Sequence, residues 1–234
     1  MSTPVSSRSA RLCVFWSLAC VGAAPALAGS GLEVGVTLGS VRVSACAGDA
    51  AAAVEIGPTR GSTSTRVSGP GGSASAQGGA ADDGGGGSAG GHHDSSSTLT
   101  GVSASASAGG AGTVAGAALA RGGATRAGTG LFAEARQAAD FTLPPHGCLV
   151  ATVDYRLDYS VASDVARGSV HLSASLDAGD SSAEKSFGKA LAGADSLERG
   201  GTLTLTVRNP GAQPLPGRLL TRTQIDASLV ATAD

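Results

Sequence analysis

The sequence predicts an all-β protein, an antiparallel β-sandwich of jelly-roll-like character that carries a long Gly/Ser-rich loop. Three observations support this. Apolar residues recur at every second position over long runs, Gly, Pro and Asn clusters end those runs, and no helical crossover of the βαβ kind is present. Strands that are greasy on one side and polar on the other bury that side by stacking two sheets face to face.

In chain order, the first segment reads as an export signal. Arg8 and Arg11 form a positive start, Leu12 to Ala24 an apolar core, and Ala26-Leu27-Ala28 follow Pro25 as small residues suited to cleavage. The expectation is a signal peptide over residues 1–28 and a mature domain over 29–234. The apolar run is shorter than the about 20 residues a membrane span needs, so no stable membrane insertion is expected. Lipidation at Cys20 is the competing reading. Ser17 stands where lipoprotein signals place leucine, and a better cleavage site lies downstream.

The mature strands follow. Residues 31–46 alternate through Leu32, Val34, Val36 and Leu38, then change parity after Gly39-Ser40 to Val41 and Val43, which predicts a bulge or tight turn. Residues 97–110 change parity in the same way across Gly101. Residues 130–143 fit a helix through Leu131, Ala135 and Ala138. They also fit a strand through Leu131, Ala133, Ala135, Ala139, Phe141 and Leu143, and the neighbouring strands favour the second reading.

From Cys148 the pattern is clearest, with Leu149, Ala151, Val153, Tyr155, Leu157, Tyr159 and Val161 all at odd positions. Val170 to Leu176, Leu203 to Val207 and Ile225 to Leu229 repeat it, with Asn209-Pro210-Gly211 as a turn. Between residues 59 and 98 the alternation lapses into Gly, Ser and Ala. Such a stretch buries too little apolar surface to offset the entropy of ordering it, so a flexible insertion is expected, with residues 65–69 as one short edge strand.

Loss of residues 1–28 would leave fourteen basic against eighteen acidic residues, a net −4 where the whole chain has −2. That balance gives no electrostatic footprint for nucleic acid or anionic lipid. The mature part keeps only Phe132, Phe141, Phe187, Tyr155 and Tyr159 as aromatics, which predicts a thin core. Cys13 and Cys20 fall in the signal, and Cys46 and Cys148 remain as an even pair that reads as a disulfide in an exported chain.

Chemistry-bearing motifs are few. Residues 81–97 contain Asp82-Asp83, a glycine run and His92-His93-Asp94. Gly85, Gly87 and Gly90 satisfy a dinucleotide-loop pattern, and residues 86–90 satisfy a serine-elbow pattern. Neither has the flanking strand and helix that make such motifs work. His92, His93 and Asp94 are the candidate metal ligands, since imidazole and carboxylate suit zinc, copper or nickel. Adjacent histidines on a slack loop would lack the rigid support that evolved metal sites have.

Asp154 and Asp158 lie four residues apart on one strand, roughly 13 Å at about 3.3 Å per residue, too far for a glycosidase pair. His146 and His171 are expected on the surface. No convergent nucleophile or acid/base set is present, so no enzyme activity and no cofactor are expected.

Alternating Ser/Ala strands (residues 103–108), then "DFTLPPHGCLVATVDYRLDYS" (140–160) and "RGGTLTLTVRNPGAQPLPGRL" (199–219), resemble secreted β-sandwich proteins of Gram-negative bacteria of the PEP-CTERM-associated type. The chain stops at "SLVATAD" without the C-terminal sorting tail of anchored members. The resemblance implies a secreted or periplasmic location and a non-enzymatic structural or interaction role at the cell envelope or extracellular matrix. Extracellular polysaccharide or envelope proteins would be its partners. The alternative function is a ligand-binding module for glycan or divalent metal that uses surface loops.

Overall fold

The computed structural model describes residues 31–46, 54–78, 92–109, 118–161, 166–192 and 194–230. The expected signal segment, Asp82-Asp83 and the glycine motifs at 85–90 lie outside the described residues. Thirteen strands are described: β1 (Leu32–Leu38), β2 (Arg42–Ala45), β3 (Glu55–Gly69), β4 (Gly72–Gly78), β5 (His93–Leu99), β6 (Val102–Ala108), β7 (Ala118–Ala124), β8 (Thr129–Leu143), β9 (Cys148–Val161), β10 (Ala166–Ala178), β11 (Ser181–Ala192), β12 (Asp195–Arg208) and β13 (Leu215–Leu229). They form two antiparallel sheets. One has the order β12-β9-β1-β7-β6-β5 with β2 also on β9, and the other the order β11-β10-β13-β8-β3-β4.

The period-two pattern places the sheets. Leu149, Ala151, Val153, Leu157, Tyr159 and Val161 of β9 are buried between them, and so are Val170, Leu172, Ala174 and Leu176 of β10. Residues 130–143 are strand β8, so the alternating reading of that segment holds over the helical one. The parity change after Leu38 is a bulge. Leu38 pairs with Tyr155 and Arg42 with Thr152, so Gly39, Ser40 and Val41 face only Val153 and Asp154. The change at Gly101 is a tight turn between β5 and β6, where Leu99 pairs with Val102 and Gly101 takes φ +82°. Beyond Ala45, which pairs with Leu149, the next cross-strand pair is Cys46 and Cys148, joined as a disulfide.

The flexible insertion expected over residues 59–98 needs correction. Most of its described part is regular sheet, because β3 runs from Glu55 to Gly69, β4 follows by a hairpin and β5 begins at His93. The sandwich core is lopsided, and that is the reason. Around β1, β9, β10 and β13 it holds Leu, Val and Ile, each fully buried Leu contributing about 1.5–3 kcal/mol. Around β3 to β7 it holds mostly Ala, Ser, Thr and Gly, with Val67 and Val102 as larger members, and there the two sheets approach to backbone contact. A Cβ built on Gly78 of β4 would lie 2.5 Å from the Asp94 carbonyl oxygen of β5. The Thr65 and Ser97 hydroxyls meet at 2.9 Å across the gap, and Ser97 Oγ donates to the Thr65 carbonyl at 3.4 Å. Hydrogen bonds and close small-residue packing stand in for apolar bulk, which a hydrophobicity argument does not register.

Candidate functional site

The expected metal ligands do not converge. Strand β5 starts at His93, so consecutive side chains point to opposite faces. His93 turns inward, its Cδ2 3.1 Å from where a Cβ on Gly61 would be, and its Nε2 is buried. His92 and Asp94 remain on the outer face, with Nε2 to Oδ2 at 3.0 Å and both side chains more than 60 % exposed. The Ser107 hydroxyl lies 3.4 Å from His92 Nε2. Asp94, Ser96, Ser105 and Ser107 also border a shallow groove of about 310 Å³. Among the described residues no three His, Cys, Asp or Glu side chains gather as a metal cluster.

The remaining sequence candidates are tied up by neighbours. Asp154 accepts from Thr202 Oγ1 at 2.7 Å and Arg42 at 2.8 Å. The Thr202 hydroxyl first, and Arg42 second, hold its carboxyl below the usual range. Asp158 lies 3.8 Å from Arg156, which also reaches Glu198 at 2.9 Å, a charge-balanced outer face. His146 sits exposed in the turn after Pro145 with φ 56°, its N–H donating to the Gly211 carbonyl. His171 lies half-buried on the outer face of β10, paired with Gln224.

At the edge formed by β11 and β12, Tyr155 stacks on Phe187 with ring centroids 6.2 Å apart, and the Arg199 guanidinium lies 4.4 Å over Phe187. Behind them Tyr159 donates to Asp195 Oδ2 at 2.7 Å, and Lys189 lies 3.7 Å from the same carboxylate. Burial first, and Asp195 second, push the Tyr159 hydroxyl up to about 12. The hydrogen bond from Tyr159 holds the Asp195 carboxyl below the usual range. The ring faces are occupied by one another and by Arg199, so this cluster reads as edge structure.

The most concentrated chemistry lies on the outer face of the six-stranded sheet. Arg136 of β8 and Arg222 of β13 are cross-strand partners, and both place Nε on Oε1 of Glu134, Arg222 at 2.5 Å. The Glu134 side chain is only 10 % exposed, whereas the arginines are 37 % and 34 % exposed. One row away, Arg60 pairs with Asp140 at 2.9 Å. Two positions before Glu134 on the same strand face, Phe132 lies half-buried beside its partner Arg66. Sequence reasoning looked for apolar positions in β8 and passed over the even ones between them. Phe132, Glu134 and Arg136 were legible there once the strand reading was settled.

No protein-family model matches the chain, and no curated protein matches it.

Proposed function

We propose that this is an exported, non-enzymatic β-sandwich protein with a structural or interaction role at the cell envelope or in the extracellular matrix. The observation that carries the reading is the Cys46–Cys148 disulfide, which ties β2 to β9 across 102 residues of chain. Such bonds persist in oxidising compartments and are rare in the cytosol. The signal-like first 28 residues agree with it. Broad sheet faces with exposed, neighbour-bound charges suit contact with an extended partner better than turnover of a small substrate.

The test is fractionation followed by intact mass spectrometry without reduction. The expected product is an extracytoplasmic chain that begins at Gly29 with its two remaining cysteines joined. A full-length chain in the cytoplasm with free thiols would overturn the proposal.

A ligand-binding module for divalent metal is the second reading, favoured by the His92–Asp94 pair at 3.0 Å on an open surface. Calorimetric titration with nickel, zinc and calcium decides it. Heat that disappears in a His92→Ala/Asp94→Ala variant supports a site, and silence removes it.

A further inference from the structure

We infer that β4 is a self-association edge. Two copies of the chain pair β4 with β4 in antiparallel register about a two-fold axis at Ser75, and their six-stranded sheets run on as one. This pairing goes beyond the reading of the chain as an exported protein and does not rest on it.

Strand β4 ends its sheet, and among the described residues no strand pairs with its far side. The other edges are protected. Strands β11 and β12 carry Lys185, Lys189 and Arg199 at positions whose cross-strand partners face inward, which opposes strand addition. The β5 edge is overlapped by β4, since the Asp94 carbonyl oxygen lies 2.5 Å from where a Cβ on Gly78 would be. Strand β4 itself, Gly72-Ser73-Ala74-Ser75-Ala76-Gln77-Gly78, has no charge and no proline. It pairs with β3 without a register shift, from Gly69 and Gly72 to Thr63 and Gly78, so no bulge bends it away.

Its backbone is turned the right way. Strands β3 and β4 join through Pro70 and Gly71 alone, so the closing pair Gly69 and Gly72 exchanges hydrogen bonds and every second pair does so after it. Ala74, Ala76 and Gly78 therefore aim N–H and C=O at β3. The Thr65 and Thr63 hydroxyls accordingly reach the Ala76 and Gly78 carbonyls, at 3.5 and 3.4 Å. The backbone groups of Ser73, Ser75 and Gln77 point the other way, to the open edge.

The occupant follows from a strand that reads nearly the same in both directions. A two-fold axis at Ser75 sets Ser75 opposite Ser75, Ala74 opposite Ala76, Ser73 opposite Gln77 and Gly72 opposite Gly78. In that register the three residues with outward backbone groups are the ones that exchange hydrogen bonds. The half-buried Ala74 and Ala76 gain cover on the core side, and the exposed Ser73, Ser75 and Gln77 side chains stay on the outer face. A slip of one residue would oppose groups already bonded to β3. Arg66 is the charge beside Ser75. Its copy would lie three strand spacings away, about 14 Å, beyond the screening length of about 8 Å at physiological salt. So short an edge makes a small interface, and the dimer is reversible.

The experiment is sedimentation velocity of the purified, disulfide-bonded protein over a concentration series. A monomer–dimer equilibrium is expected. Ser75→Pro removes only an outward N–H, so it should keep the circular dichroism spectrum. It should weaken dimerisation at least about tenfold, the effect of two lost intermolecular hydrogen bonds. Ser75→Lys sets like charges directly opposite each other and should be monomeric. Mixing it with Ser75→Glu should return it to dimers, a recovery that misfolding cannot produce. Wild type that stays monomeric up to about 1 mM would overturn the inference. So would species that grow past the dimer, a Ser75→Pro dimer as tight as wild type, or no heterodimer from the two charge variants.

Discussion

The ring of Phe141 lies across the backbone of Gly217, its antiparallel partner, so closely that a Cβ on Gly217 would overlap the ring and lie 2.6 Å from the Asp177 carbonyl oxygen. An aromatic ring covering a cross-strand glycine restores the packing that the missing side chain forfeits. Phe141 is 4 % exposed, so it is also one of the few large groups in a core short of aromatics.

Gly217→Ala should therefore destabilise the protein by about 1–3 kcal/mol, because the added methyl meets the ring on one side and backbone on the other. Phe141→Ala should cost about 3–5 kcal/mol through the cavity it leaves. Urea denaturation followed by circular dichroism measures both. A Gly217→Ala midpoint equal to wild type would show that the ring moves aside at no cost.

The Cys46–Cys148 bond ends the β2–β9 pairing and closes a loop of 102 residues, most of it in other strands. In the chain-entropy account that constraint on the unfolded chain contributes up to about 4–5 kcal/mol. Since half the core is built from Ala, Ser and Thr, the bond supplies much of the margin. A Cys46→Ser/Cys148→Ser variant, or the reduced protein, should unfold at markedly lower urea. The same midpoint with and without reductant would mean that strand pairing alone holds the ends.

Edge strands β11 and β12 turn charged side chains toward the inter-sheet space. Lys185 pairs with Ala174, Lys189 with Val170 and Arg199 with Leu157, partners that all face inward, yet the three charges stay exposed at the rim. Inward-facing charge on an edge opposes addition of another chain's strand. Replacing all three by threonine should shift the protein toward larger species in size-exclusion chromatography at high concentration. Its far-ultraviolet circular dichroism should not change. Elution identical to wild type would remove the guarding role.

How much of this was legible depended on what each segment packs with. In β9, β10 and β13 large apolar residues alternate with polar ones, and their burial follows the written pattern. In β3, β4 and β5 the inward residues include Thr63, Thr65, Ala74, Ala76, Ser95 and Ser97, with Val67 the one larger apolar group in β3, so apolar alternation fades while the strand remains. Those strands are held by partners distant in the chain, such as Thr65 against Ser97, and a local window cannot see them. The His92-His93-Asp94 run is divided for a related reason. Three adjacent ligand types look like a cluster in a slack loop, but a strand sends the middle one to the opposite side. The Arg136–Arg222 pair required knowing that β8 and β13 are neighbours, which no spacing in the sequence reveals.

The Tyr159–Asp195 hydrogen bond makes stability depend on pH at both extremes. Tyr159 has its folded value raised from 10.0 to about 12, so the stability it contributes is complete below about pH 10 and is lost as pH rises through about 12. Asp195 has its folded value lowered, so its contribution is complete above its ordinary value of 3.8 and is lost as pH falls through the lower folded value. The acid limb should be the shallower, because Asp195 is 47 % exposed and Tyr159 is 5 % exposed. Tyr159→Phe keeps the buried ring and removes the hydroxyl, so it should cost about 1 kcal/mol at neutral pH. Wild type minus variant, measured by urea denaturation across pH, should be flat through the neutral range and shrink at each end. A difference that grows between pH 10 and 12 would mean that the hydroxyl is ionised in the folded protein, contrary to the burial and the donated bond.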